Sequence, residues 1–419
     1  MAGSTVTVRM YNMGFGDAFL VTVRRKGKVW RMLVDCGVHS QGQARPIAES
    51  VKAIIADLAA ASPAGKPQLD VVVATHHHAD HISGFALPDW EKVVVEEVWL
   101  PFVEDQSDAD ASALRQAQTQ TAQRLLGLIE QRTLGLDPGA WPAAVAAARS
   151  FALNSAGNAV ATDRLIGRNK THFANPGHHV RYLPSLNDAE NEIAVGPDQV
   201  IAHVLGPSRD PDELKLMNPP ASAGWHQLDV DETGDADDSP YPLFNGTYEL
   251  RDRLRLPAVL EAAADSLQLD QLGNDTGLLG AASVLEHAVN NTSLFMVLDV
   301  AGTRLLFPGD AQYGAWQHVL KDPRKRALLS DAAFYKIGHH GSHNATPREF
   351  VEEVWTEGAS AMLPWGIVER WKDTIPQQQL LQSLHDHKHL VIRADTPADK
   401  QAGITVQDDL WREIVLKTK

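Results

Sequence analysis

Residues 75–81 read Thr-His-His-His-Ala-Asp-His, directly behind the run 69–74, apolar but for Asp70. A short apolar run of this kind forms a strand buried on both faces, which calls for a sheet covered on both sides. At its exit stand imidazoles and a carboxylate, a donor set suited to zinc-like divalent cations. His76 and His78 are two apart, so an extended backbone turns both side chains the same way. Asp80 and His81 follow one turn later and address a neighbouring ion. The bland alternative is a histidine-rich surface loop.

The flanking sequence supplies more strands. They are predicted at 6–10, 18–23 and 29–34, with the turn Gly14-Phe15-Gly16-Asp17 after the first and Asp35-Cys36-Gly37 after the third. Ile47, Val51, Ile54, Ile55 and Leu58 share a face, which predicts a helix over 47–61. A short strand is expected at 98–100. From Glu104 the texture changes to Ala-rich helices over 108–134, capped by Asp108 or Ser107, and over 142–153. This reads as a helical insertion of roughly 104–170. Strand character returns at 179–183 and 199–205. Residues 210–248 are rich in Pro, Gly and acids and read as a surface loop, followed by a helix at 254–267. Then come a hairpin of 293–300 and 303–307, strands at 334–337 and 361–364, a helix at 377–384, and strands at 390–393 and 403–406. The chain divides into 1–103, 104–285 (with 178–208 partly core) and 286–419.

Charge narrows the partners. Asp and Glu outnumber Lys and Arg by 53 to 38, a net −15. Long duplex nucleic acid is held by a basic field, so this balance favours a small substrate or a short strand. The single cysteine, Cys36, excludes an intrachain disulfide and fits a reducing compartment. Residues 1–10 lack an apolar signal core, and no run of about 18 apolar residues occurs. A cytoplasmic location without membrane contact is expected.

The motif His76-x-His78-x-Asp80-His81 resembles that of the metallo-β-lactamase superfamily. Other segments fall in matching order: Leu305-Leu306-Phe307-Pro308-Gly309-Asp310, a strand ending in Gly-Asp, and Tyr335-Lys336-Ile337-Gly338-His339-His340-Gly341-Ser342-His343, a strand ending in histidine. Within the superfamily the pattern is most similar to the hydrolase domain of bacterial DNA-uptake (competence) channels and its stand-alone relatives. Gly14-Phe15-Gly16-Asp17-Ala18, Asp35-Cys36-Gly37, Asn290-Asn291-Thr292-Ser293 and the His-His-Gly-Ser run carry that similarity. It covers roughly 5–101 and 286–408. It implies an α/β fold, the four-layer αβ/βα sandwich, interrupted by the helical insertion.

The resemblance also implies a binuclear centre, with Zn2+ or Mn2+ as the cofactor. His76 and His78 would hold one ion, Asp80, His81 and His339 the other, and Asp310 would bridge them. His339 is preferred to His340 because it comes first after the strand. Asn290, Asn291 and Ser293 stand where most members supply a further histidine to the first ion. Asp35 is expected to orient a ligating histidine from behind, with Asn291 a further outer contact. Asp80 and Asp310 count as catalytic, and His340 and His343 as donors to a leaving group. Asp17 reads as a turn residue, Trp365 as pocket wall or core, and Lys336 as pointing either way. His203 and His287 read as structural, and His385, His387 and His389 as a solvated turn.

The chemistry implied is hydrolysis by a hydroxide shared between two cations, most naturally on a phosphodiester or related anionic ester such as a nucleotide or short nucleic acid. The alternatives are a hydrolase of a carbonyl bond (lactone, thioester or amide) and a degenerate metal-binding scaffold. The insertion is a candidate surface for a protein partner or a homo-oligomer.

Overall fold

The computed structural model describes residues 4–62, 65–156, 158–197, 199–220, 224–225, 275–395 and 403–418. The predicted helix at 254–267 and the acidic stretch from Asp229 to Asp238 lie outside the described residues.

The strands are β1 (Thr5–Tyr11), β2 (Phe19–Arg25), β3 (Lys28–Val34), β4 (Gln68–Val73), β5 (Val94–Pro101), β6 (His179–Leu183), β7 (Glu192–Ala194), β8 (Val200–Gly206), β9 (Phe295–Val300), β10 (Thr303–Phe307), β11 (Ala332–Lys336), β12 (Ser360–Leu363), β13 (Leu390–Arg393), β14 (Ile404–Gln407) and β15 (Trp411–Lys417). They form two sheets, ordered β14-β15-β1-β2-β3-β4-β5-β6 and β13-β12-β11-β10-β9-β8-β7. From β3 to β6, and again from β10 to β13, the pairing is parallel.

Side-chain alternation builds the layers. Met32, Val34, Val71 and Val73 of the first sheet meet Met296, Leu298, Leu305 and Phe307 of the second in one core between the sheets. Leu33 and Val72 face the other way, onto Val51, Ile54 and Leu58 of helix α1 (Ile47–Ala60). On the far side of the second sheet, Val297, Leu306 and Tyr335 pack with Trp316, Val319, Leu380 and Leu384. Helix, sheet, sheet and helix thus make the four-layer sandwich. Burial on both faces is what makes Val71–Val73 of β4 and Ala332–Phe334 of β11 apolar. Each large side chain so buried contributes on the order of 1.5–3 kcal/mol.

Contacts divide the chain into two units. One comprises 1–102, 158–225 and 290–419, and the other 103–157 and 226–289. The second has its own core, in which Leu125, Ile129, Val145 and Ala148 meet Leu278, Ala282 and Leu285. Its long helix, Ala109–Thr133, begins at Asp108, whose carboxylate accepts the N–H groups of Asp110 and Ala111. The insertion read from sequence runs too far at its end. Helix Ala159–Ile166 puts Ala161 and Leu165 into the core of the sandwich unit.

Several elements differ from the sequence reading. Helices at Asp275–Asn290, Tyr313–Leu320 and Pro323–Ser330 are not anticipated, nor is β15, which pairs with β1 along its whole length. His389 is not on a solvated turn. It is 6% exposed and stacks on Trp355 with ring centroids 3.7 Å apart, and burial lowers its pKa to about 4.

A candidate metal centre at the strand ends

In open α/β sheets, ligands gather at the carboxyl ends of parallel strands. Here the ends of β3, β4, β10 and β11 deliver Asp35, the histidine motif, Asp310 and the paired histidines. The backbone sews these ends together. Asp35 N–H donates to Val73 O (2.8 Å), Cys36 N–H to His81 O (2.7 Å), Asp17 N–H to Asp80 O (3.0 Å) and Leu294 N–H to Thr75 O (2.8 Å). Two glycines are required by proximity. A Cβ on Gly37 would lie 2.4 Å from His81 N, and one on Gly309 (φ +60°) would lie 2.8 Å from Ser293 Cβ. That accounts for glycine in both the Asp-x-Gly and Gly-Asp turns.

The rings are oriented from behind. His81 Nδ1 lies 2.8 Å from Asp35 Oδ2. A carboxylate only accepts, so this nitrogen carries the proton and Nε2 faces forward, 3.1 Å from Asp310 Oδ2. Asp35 is itself fixed by the Thr75 N–H (2.7 Å) and hydroxyl (2.8 Å) and sits at φ 58°. His76 Nδ1 rests 3.2 Å from the hydroxyls of Thr75 and Ser293, and its Nε2 faces His78 Nδ1 at 3.0 Å. His340 Nδ1 donates to Pro364 O (2.8 Å), which turns Nε2 toward Asp80 Oδ2 at 3.4 Å.

The arrangement fits bound cations. Ring nitrogens and carboxylate oxygens converge at His76/His78, His81/Asp310 and His340/Asp80, where a proton or a metal can lie between them. Asp80 Oδ1 is buried with no hydrogen-bond partner among the described residues. The electrostatics agree. Burial, then the neighbouring His81, keeps His76 well below its ordinary value, and burial takes His78 down to about 3, so both are neutral donors. Burial also opposes charge on His81, yet Asp310, Asp17, Asp35 and Asp80 together hold it well above its usual value. Burial opposes charge on Asp80 and Asp310 too, but His81 with His340 and His78 around Asp80, and His81 with Lys336 and His339 around Asp310, together outweigh it, and both stay well below the usual range. This buried cluster demands positive charge.

Among the described residues, two donor groups lie within metal-holding distance: His76, His81 and Asp310, and Asp17, His81 and His340. The first is the inner set. In the second, the nitrogens nearest Asp17 are His81 Nδ1 (3.7 Å) and His340 Nδ1 (3.9 Å), both already bonded elsewhere. Asp17 therefore stands behind the ligand rings. This corrects its reading as a turn residue: it is fully buried and paired with Lys336 at 2.5 Å.

Other candidates are redistributed. His340, rather than His339, reaches Asp80. Both have positive φ, 44° and 51°, and this kink separates their rings. His339 Nε2 lies 3.4 Å from Asn290 Nδ2, while its N–H donates to Asp310 Oδ1 (3.0 Å). Such strain gathers at functional sites. His340 spends both nitrogens in the cluster, so it is not poised to protonate a leaving group. Burial lowers His343 to about 4. Asn291 touches no candidate ligand side chain. It clamps Gln312 N–H (3.2 Å) and Ala315 N–H (3.3 Å) to the carbonyl of Leu214 (2.9 Å). Trp365 is core, 5.5 Å from the Phe15 ring. Burial, then Asp35, pushes the Cys36 thiol far up, so it is no nucleophile. His203 sits on β8 facing Glu192 at 3.7 Å, away from the cluster.

Sequence reasoning missed the hydroxyls of Thr75 and Ser293, the Pro364 carbonyl and the roles of Asp17 and Lys336. For Lys336 a signal existed: it is a lone charge in the strand Ala332–Lys336, otherwise apolar.

Comparison with known proteins bears on this same region. Over 107 residues the chain is 30% identical to ComE operon protein 3 of Bacillus subtilis (strain 168), a stretch that covers 25% of this chain and 13% of that protein. Residues 12–97 match the family model described as Metallo-beta-lactamase superfamily. The match spans the strands whose ends carry Asp35 and the histidine motif, and the two-sheet sandwich around them has the layer order of the metallo-β-lactamase fold.

Proposed function

We propose that the protein is a metal-dependent hydrolase of a phosphodiester or related anionic ester, a nucleotide or short nucleic acid, acting in the cytoplasm. One divalent ion belongs on His76 and His78, a second on Asp80, His81 and His340, with Asp310 between them. The observation that carries this reading is the convergence of buried ring nitrogens and carboxylate oxygens: His76/His78 at 3.0 Å, His81/Asp310 at 3.1 Å and His340/Asp80 at 3.4 Å. Paired cations, when bound, acidify water and neutralise charge developing on the substrate.

The chain's own groups orient and bind. Asp35 and the Pro364 carbonyl fix the tautomers of His81 and His340, and Thr75 and Ser293 that of His76. Two histidines on the first ion leave room for oxygen donors, which suits Mn2+ as well as Zn2+. Beside Asp310, Asn290 Oδ1 and His339 Nδ1 are buried and lack partners among the described residues. They are assigned to the substrate. An anionic ester supports this reading better than a neutral carbonyl, since a centre of two dications and a buried lysine favours negative charge.

The test is hydrolysis of bis(p-nitrophenyl) phosphate against p-nitrophenyl acetate, with manganese or zinc supplied. Chelator-sensitive turnover of the phosphodiester is expected. Turnover of the acetate alone, with metal bound, would move the assignment to carbonyl bonds. Absence of bound metal would overturn the hydrolase reading.

A further inference from the structure

Lys336 is a buried lysine beside the carboxylates of Asp17 and Asp310. It is 2% exposed, at the inner end of β11. Its Nζ donates to Gly309 O (3.1 Å) and Asp310 Oδ1 (2.9 Å) and pairs with Asp17 Oδ2 (2.5 Å). Two of the ammonium's N–H groups are thus placed on the Gly309–Asp310 turn, and its charge is shared with Asp17.

The consequence falls on Asp310. Its Oδ1 accepts from Lys336 Nζ and from the His339 N–H (3.0 Å), which fills both lone pairs. Its backbone N–H is held by Ser293 Oγ (3.1 Å). Only Oδ2 remains, facing His81 Nε2. We propose that Lys336, anchored by Asp17, is a positioning residue that locks the Asp310 carboxylate so that it offers a single oxygen, Oδ2, to the divalent cations. Asp17 supplies the anchor: it is behind the ligand rings, has no other ion partner closer than 3.7 Å, and keeps the ammonium on the Gly309–Asp310 turn. Without the lock, Asp310 can rotate and chelate one ion through both oxygens, and it no longer spans two sites. This inference rests on the assignment of Asp310 as the shared ligand.

The test uses the full chain stripped of metal and reloaded with Mn2+ or Zn2+. Ions per chain, affinity by chelator competition and thermal midpoint are read for wild type, Lys336→Met, and Asp17→Asn combined with Lys336→Met. The single variant buries two carboxylates without their counter-charge, so its midpoint falls. The double variant removes the anchor's charge too, so the midpoint recovers. Affinity for one of the two ions is expected to stay down about 10–100-fold in the double variant, the usual cost of losing an orienting partner. Recovery of both midpoint and affinity would reduce Lys336 to a neutraliser of Asp17 and overturn the proposal. A metal-loaded crystal structure of the wild type decides independently of variant folding. Asp310 is expected to keep Oδ1 on Lys336 and to touch metal through Oδ2 alone, and bidentate chelation would refute the lock. Wild type that takes up no metal would overturn the metal assignment itself, a different outcome from a loaded wild type with an indifferent Lys336.

Discussion

Replacing Asp310 with alanine is expected to abolish phosphodiester hydrolysis, by about a thousandfold or more, while the chain stays folded. Asp310 Oδ2 lies 3.1 Å from His81 Nε2, and its carboxylate is within metal-holding distance of His76 and His81. Its loss would remove the ligand proposed to be common to both ions, and with it several kcal/mol of charge stabilisation, at 1.36 kcal/mol per decade of rate. The fold is expected to persist because Lys336 keeps Asp17 as its partner at 2.5 Å. Circular dichroism, ions per chain and turnover are the measurements. Wild-type turnover with two ions still bound would remove Asp310 from the bridge.

The second large effect separates two neighbours that sequence order cannot. His340→Asn is expected to lower affinity for the second ion by more than about a hundredfold and to bring metal content toward one ion per chain. His339→Asn is expected to retain both ions. His340 Nε2 is aimed at Asp80, whereas His339 contributes its backbone N–H to Asp310 and turns its ring to Asn290. Asparagine is chosen for both because it tolerates positive φ, which this pair requires. In His339→Asn, the expected deficit is in turnover or KM, through the lost substrate contact. A metal loss confined to His339→Asn would reverse the assignment.

The inner strands were legible because burial on both faces leaves a plain signature: apolar runs ending in Asp-x-Gly, in the histidine motif and in Gly-Asp. The motif brought His76, His78, Asp80 and His81 to attention, and the resemblance of the strand ending in Gly309-Asp310 brought Asp310. The choice between His339 and His340 was not legible. It is made by two consecutive left-handed residues, a backbone event that no side-chain pattern announces. Alternation could not orient Lys336, because both faces of β11 are covered: Phe334 lies between the sheets and Tyr335 under the outer helices.

The unanticipated helices have separate causes. Asp275–Asn290 carries glycines at 277 and 280, which depress helix propensity, yet Leu278, Ala282 and Leu285 are held in the core of their own unit. Pro323–Ser330 did carry a signal, an aspartate cap followed by proline at the first helical position, and Asp322 indeed accepts from the N–H of Arg324. His389 gave none, since its burial depends on the distant Trp355.

The most direct measurement is anomalous diffraction from crystals loaded with manganese or zinc. The account predicts two peaks about 3.5–4 Å apart, the usual spacing of paired catalytic ions. One should lie on His76 and His78 and the other on Asp80, His81 and His340, with Asp310 Oδ2 between them. A single peak, peaks ligated by the His339 ring, or metal bound only elsewhere on the chain would contradict it.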